Sequence, residues 1–299
     1  MLASGKDVFF LCGYVVTAFV PPRLDGWITA MLGSLYLRCK RGGVKRAAEE
    51  IQRTLGPLAN GHDPARVAEL RYRMLVEERW SQMRAMHPDA WKPHITLEGM
   101  EHVENALARG KGAILWGMSV GSALAVKQGL WRGGIRLVHL SSVRHAVVSD
   151  SALAWKVVAP LRWRSEDPYL LERIIIPLDG SVGYLRTLSE RLEANSCVSI
   201  RGENQGRQNV ETPFFHSRAS FAVGAPSLAY RVGSALLPVY ALRIGPHRHR
   251  VVIEHPIEPD RGQDRKAFAE AAVQEFSKRL QRQIVEHPAD WDGWTEARL

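Results

Sequence analysis

A chain of 299 residues, 45% hydrophobic and 24% charged, is ordinary globular material. It is long enough to bury a sizeable core as one large domain or two small ones, which excludes a disordered or fibrous class. Its formal net charge of +9 predicts attraction to anionic partners and leaves phospholipid headgroups, nucleic acid and acidic cosubstrates open.

The N-terminus is apolar over Val8 to Val20 and then meets Pro21-Pro22. That run is shorter than the ~20 residues that span a bilayer. Only Lys6 precedes it, Asp7 adjoins it and no small-residue cleavage site follows, which argues against a signal peptide. A second apolar stretch, Trp27 to Leu37, is followed by Arg38, Lys40, Arg41, Lys45 and Arg46. Two short apolar helices backed by cations suit an interfacial anchor on an anionic membrane over residues 1–45; a buried helical hairpin capped by solvated charge is the alternative. Residues 43–90 read as charged helix, with Leu70, Met74, Leu75 and Trp80 near helical spacing.

From residue 95 strands and helices alternate. Val103 to Arg109 reads as a short helix ended by Gly110, and Ala113 to Trp116 as a buried strand. Gly117 to Gly121 reads as a turn and Ser122 to Gln128 as a helix. Strands follow at Ile135 to Leu140, Arg173 to Pro177, Cys197 to Arg201, Ala235 to Arg243 and Arg250 to Glu254. Helices are expected at Val182 to Ala194, Phe221 to Val232 and Ala267 to Val285. This predicts an α/β fold over residues 46–299, a layered, mostly parallel sheet flanked by helices. Ligands bind beyond the carboxyl ends of such strands, so the chemistry is expected after Trp116 and after Arg201. Cys12, Cys39 and Cys197 form no metal motif or disulfide framework and suit a reducing cytosol. Neither a metal nor a cofactor is expected, and no nucleic-acid module is recognisable.

Three stretches carry an ordered pattern: LEGMEHVENALARGKGAIL over 97–115, ETPFFHSRASFAVGAPSLAYRVGSALLPVYALR over 211–243, and His287-Pro288 followed by Trp291 and Trp294. In this order they resemble the lipid A biosynthesis (late) acyltransferase branch of the lysophospholipid acyltransferase superfamily, across roughly residues 5–297. The resemblance implies a glycerolipid acyltransferase-like fold and an acyl thioester donor on acyl carrier protein or CoA. It also implies a phospholipid or glycolipid acceptor, on the cytoplasmic face of a bacterial inner membrane. It places a base histidine and a partner acid at Ser119 and Leu124, neither of which does that work. Little conventional transfer is therefore expected, and a silent lipid-binding or scaffold protein stands as the alternative.

Other residues are candidates for what remains. Gly117-Met118-Ser119-Val120-Gly121 spells a nucleophile elbow, for which Asp179 and His247, His249 or His255 are the conceivable partners, in a serine hydrolase. His139 is a candidate base, or a hydrogen-bonded core residue. By the resemblance Arg144, Glu203, Asn204 and Arg207 hold the phosphorylated acceptor, for which an arginine fork is well suited, and Pro213, Phe214 and Phe215 wall the acyl groove.

Overall fold

The computed structural model describes residues 4–59, 61–87, 93–142, 149–203, 206–259 and 262–295. The chain begins with α1 (Gly5–Phe19), whose Ser4 and Asp7 form a reciprocal capping box. Pro21 and Pro22 end it, and α2 (Asp25–Cys39) leaves at a bend of 117°. No described helix is long and apolar enough to cross a membrane by itself. Then come α3 (Arg41–Leu55) and α4 (Pro64–Ala85), the latter capped by Asp63. Phe10 of α1 packs on Trp80 and Met83 of α4, so the hairpin of α1 and α2 rides on the rest of the protein. The opposite face of that hairpin is bare: Phe9 is 77% exposed, Phe19 83% and Trp27 66%, with Met31 and Leu35 beside them.

The remaining elements are β1 (His94–Glu98), α5 (Met100–Ala108), β2 (Ala113–Gly121), α6 (Ala123–Arg132), β3 (Leu137–Ser142), α7 (Ala159–Arg164), β4 (Leu170–Ile176) and α8 (Gly183–Glu193). They continue with β5 (Cys197–Arg201), β6 (Asn209–Phe214), β7 (Ser217–Ala222), α9 (Gly224–Val232), β8 (Ala235–Gly245), β9 (Arg248–Ile253) and α10 (Arg265–Glu286). Among the described residues, seven strands form one sheet in the order β1-β9-β8-β2-β5-β3-β4, parallel except where β8 meets β9. This is the layered, mostly parallel α/β fold expected from the alternation. Strand β2 is central and alternates faces. Ala113 and Leu115 join Val103 of α5 and Leu130 of α6, whereas Ile114 and Trp116 join Phe268 and Phe276 of α10. Trp116 stacks on Phe276 at 4.2 Å. Strands β6 and β7 stand apart as an antiparallel hairpin.

Three expectations are corrected. Strand β1 was not expected: its only apolar residues are Ile95 and Leu97, enough for a half-buried edge but too few to read as a pattern. The helix expected from Phe221 begins at Gly224, because Ser217–Ala222 pairs with β6. Gly117 to Gly121 is not a turn, and so not an elbow; it is the end of β2. Gly117 pairs with Val239 and Gly121 with Ala241, so the intervening residues bulge away from β8. Gly121 closes the bulge at φ +69°, where a Cβ would stand 1.5 Å from the Ala241 carbonyl oxygen.

Candidate active site

The bulge takes Ser119 beyond the end of β5, whose last partner on β2 is Gly117. Its backbone N–H therefore has no strand to bond. The Glu203 carboxylate supplies the acceptor, with both oxygens 2.9 Å from that nitrogen. The Ser119 hydroxyl donates to Glu203 Oε2 at 2.7 Å and accepts from Arg201 Nε at 2.7 Å. Arg201 and Glu203 flank Gly202, which lets β5 approach α10: a Cβ there would lie 2.2 Å from the Phe276 ring. Asp292 of the tail faces Arg201 at 3.8 Å and is itself held by Arg71 at 2.8 Å. Ser119 and Glu203 are both buried. Burial raises the Glu203 pKa above the ordinary carboxylate range, while Arg201 and the bonds from Ser119 pull against that shift.

This polar group forms the floor of a cleft of about 510 Å³ at the carboxyl ends of β2 and β5. The β6–β7 hairpin and the tail build an aromatic wall. Phe214 meets Phe215 edge-on at 5.0 Å and lies 5.9 Å from Trp291. Phe215 holds φ +53°, and its N–H donates to Gln281 Oε1 of α10 at 2.7 Å, which fixes the hairpin tip. Trp291 is seated by the bridge between Val120 and the tail. Opposite, α3 contributes Glu50, Arg53 and Thr54, and the hairpin adds Glu211, His216 and Arg218. The arrangement offers a carboxylate and a cation at one end, guanidinium groups at the rim and ring faces between them. That suits a substrate with a polar reacting centre and an apolar chain.

Of the sequence candidates, Ser119, Glu203, Phe214 and Phe215 come together on this cleft. Pro213 lies beside it in β6, its carbonyl accepting from Gln281 Nε2 at 3.3 Å. His139 does not line it; its Nδ1 faces Ser199 Oγ at 3.4 Å. Arg207 also stands outside, bonded to the Gly180 carbonyl. Arg144 and Asn204 lie outside the described residues. The triad partners conceivable for Ser119 are all elsewhere: Asp179 accepts from Ser181 N, His247 faces Ser81, and the His255 ring packs at a tilt against His102. His249 is buried, and burial pushes its pKa down to about 4. Sequence reasoning missed Arg201, although its position two residues before Glu203 at a strand end puts both on one side. It also missed the rim residues Arg53 and Arg218, which no local pattern distinguishes from surface charge.

Comparison with known proteins adds to this geometry. The family described as bacterial lipid A biosynthesis acyltransferase matches residues 171–298. A phosphatidylinositol mannoside acyltransferase of Mycobacterium tuberculosis strain H37Rv is 29% identical over 258 residues, covering 84% of this chain and 76% of the relative. The protein of that name from strain CDC 1551 is 28% identical over the same span.

Proposed function

We propose that this chain belongs to the lipid A biosynthesis acyltransferase branch and moves an acyl group from an acyl carrier protein or CoA thioester to a hydroxyl of a phosphorylated lipid or glycolipid, a reading supported by the family match over residues 171–298 and by the 29% identical relative. The observation that carries the reading is the cleft itself, in which Ser119, Arg201 and Glu203 meet the ring faces of Phe214, Phe215 and Trp291. The acyl chain lies along the rings, the thioester carbonyl sits over the polar floor, and the rim guanidinium groups take the acceptor phosphate. The relative named for phosphatidylinositol mannoside supports an acceptor that joins a phosphate to sugar hydroxyls. The test is mass-spectrometric detection of acylated product from acyl-CoA or acyl-carrier protein with a phosphatidylinositol mannoside acceptor. A second reading, a silent lipid-binding protein, draws on the occupancy of the usual histidine and acid positions by Ser119 and Leu124. Tight binding of donor and acceptor with no product would favour it.

The rim gives a separable expectation. Changing Arg53 and Arg218 together to Ala should raise the acceptor KM about tenfold or more, since a charge-assisted bond contributes about 1.5–3 kcal/mol and both arginines already share carboxylates. The donor KM should hold. An unchanged acceptor KM would place the phosphate elsewhere.

The site is proposed to work at the cytoplasmic face of a bacterial inner membrane, with the bare face of α1 and α2 lying in the lipid interface. Exposed Phe9, Phe19 and Trp27 supply apolar contact, and Arg38, Lys40, Arg41 and Arg46 supply attraction to anionic lipid. Deleting residues 1–45 is a poor test, because α1 and α2 cover Trp80 and Met83. Phe19→Ser with Trp27→Ser leaves that packing alone. Each buried aromatic is worth about 1.5–3 kcal/mol, so flotation with anionic liposomes should weaken at least tens-fold. Binding should also weaken with salt. Undiminished flotation of the double variant would remove the anchor from this face.

A further inference from the structure

We propose that Ser119 and Glu203 form a proton relay, in which the Ser119 hydroxyl takes the proton of the acceptor hydroxyl and passes its own to Glu203. The inference rests on the acyl-transfer reading above and supplies the base that reading lacks. It follows from the bonding capacity of one oxygen. A serine hydroxyl has one hydrogen and two lone pairs. The hydrogen of Ser119 goes to Glu203 Oε2 at 2.7 Å, and one lone pair takes Arg201 Nε–H at 2.7 Å. One lone pair remains on a residue that lines the cleft, ready to accept a bond from a substrate hydroxyl.

Glu203 is held for the second half of the transfer. Both its oxygens accept the Ser119 backbone N–H at 2.9 Å, so the bulge that frees this N–H also fixes the carboxylate. Burial makes the group a stronger base than an ordinary glutamate, while Arg201 and the bonds from Ser119 pull its pKa back down. Serine by itself has no basicity near neutral pH; joined to a buried carboxylate it needs none, because it loses a proton as it gains one.

The step balances without any further reactant. The acceptor oxygen forms its bond to the thioester carbonyl carbon as its proton moves to Ser119 Oγ and the serine proton moves to Glu203. The tetrahedral oxyanion collapses, the C–S bond breaks, and the sulfur leaves with its electron pair. Glu203 then returns the proton through Ser119 to that sulfur, giving ester and thiol. No acyl-serine forms.

Several charged groups face this pair. Asp292 approaches through Arg201, while the Glu50–Arg53 and Glu211–Arg218 pairs and His216 lie across the cleft. Asp290, pushed up to about 6 by burial, is turned to the Arg243 N–H at 3.1 Å. The pH test therefore includes His216→Ala and Asp290→Asn as controls.

The experiment is a steady-state transfer assay on the full chain, with acyl-CoA as donor and phosphatidylinositol mannoside as acceptor. Glu203→Gln should lower kcat by about 10²–10⁴-fold, the usual contribution of general-base assistance, with both KM values within about threefold of wild type. Glu203→Asp should restore part of the loss. The rise of wild-type kcat/KM with pH should persist in both controls and vanish in Glu203→Gln. Wild-type turnover with Glu203→Gln equally active overturns the relay and leaves acyl transfer standing, whereas no product from the wild type overturns the acyl-transfer reading itself. If Glu203→Gln melts early, Ser119→Ala carries the test, since it removes only the hydroxyl; an unchanged kcat there overturns the relay. An acyl group trapped on Ser119 also overturns it.

Discussion

The Ser119→His variant is expected to transfer acyl groups faster than the wild-type chain, by about tenfold to a hundredfold at neutral pH. An imidazole titrates close to neutrality and accepts a proton directly, whereas the hydroxyl only hands one on to a carboxylate. A histidine base also needs a partner to fix its tautomer and to stabilise the imidazolium. From the sequence that partner is expected at Leu124, so that Ser119→His with Leu124→Glu should raise activity more than Ser119→His alone. The structure supplies a different partner. Glu203 already bonds the side chain and the N–H of residue 119, and it comes from β5, not from α6. The single histidine should therefore give most of the gain, and adding Leu124→Glu should add little. The measurement is kcat for the wild type, both single variants and the double in one assay. A histidine variant no faster than wild type, but faster once Leu124→Glu is added, would return the partner role to α6.

That difference shows where sequence reading stops. The alternation of apolar strands and helices was legible because the sheet buries β2 and β8 on both faces, leaving continuous runs such as Ala235 to Leu242. The floor of the cleft was legible only as separate residues. Ser119 and Glu203 are 84 positions apart, and neither carries a local sign of the other. The two glycines around Ser119 look like a turn because turns and bulges call for the same backbone freedom. Only the register, Gly117 on Val239 and Gly121 on Ala241, separates them. Arg207 shows the opposite case: its type and spacing suit a phosphate, and the structure turns it to the Gly180 carbonyl, outside the cleft. The aromatic wall was half legible, since the resemblance places Pro213, Phe214 and Phe215 on the acyl groove, while Trp291 reaches it by its bridge to Val120.

Arg84→Met should cost about 3–5 kcal/mol, the usual penalty for breaking a buried ion pair from one side. Arg84 is 1% exposed and Asp25 fully buried, and the guanidinium meets the carboxylate at 2.6 and 3.0 Å. Its remaining N–H groups serve the Thr17 and Val20 carbonyls, which the end of α1 leaves without helical partners. Methionine has a comparable volume, so packing against Trp80 changes little and the lost polar contacts dominate. Three acceptors are then stranded where α1 turns into α2. The hairpin should open before the sheet does, and hydrogen exchange should speed up first over residues 14–30. Because that hairpin carries Phe9, Phe19 and Trp27, liposome binding should become less specific for anionic lipid as the outward face loses its fixed shape. Removing the charge on both sides, with Arg84→Met and Asp25→Asn together, should recover part of the loss, since no buried carboxylate is left alone. Equal destabilisation in the single and double variants would assign the penalty to the two carbonyls and not to the ion pair.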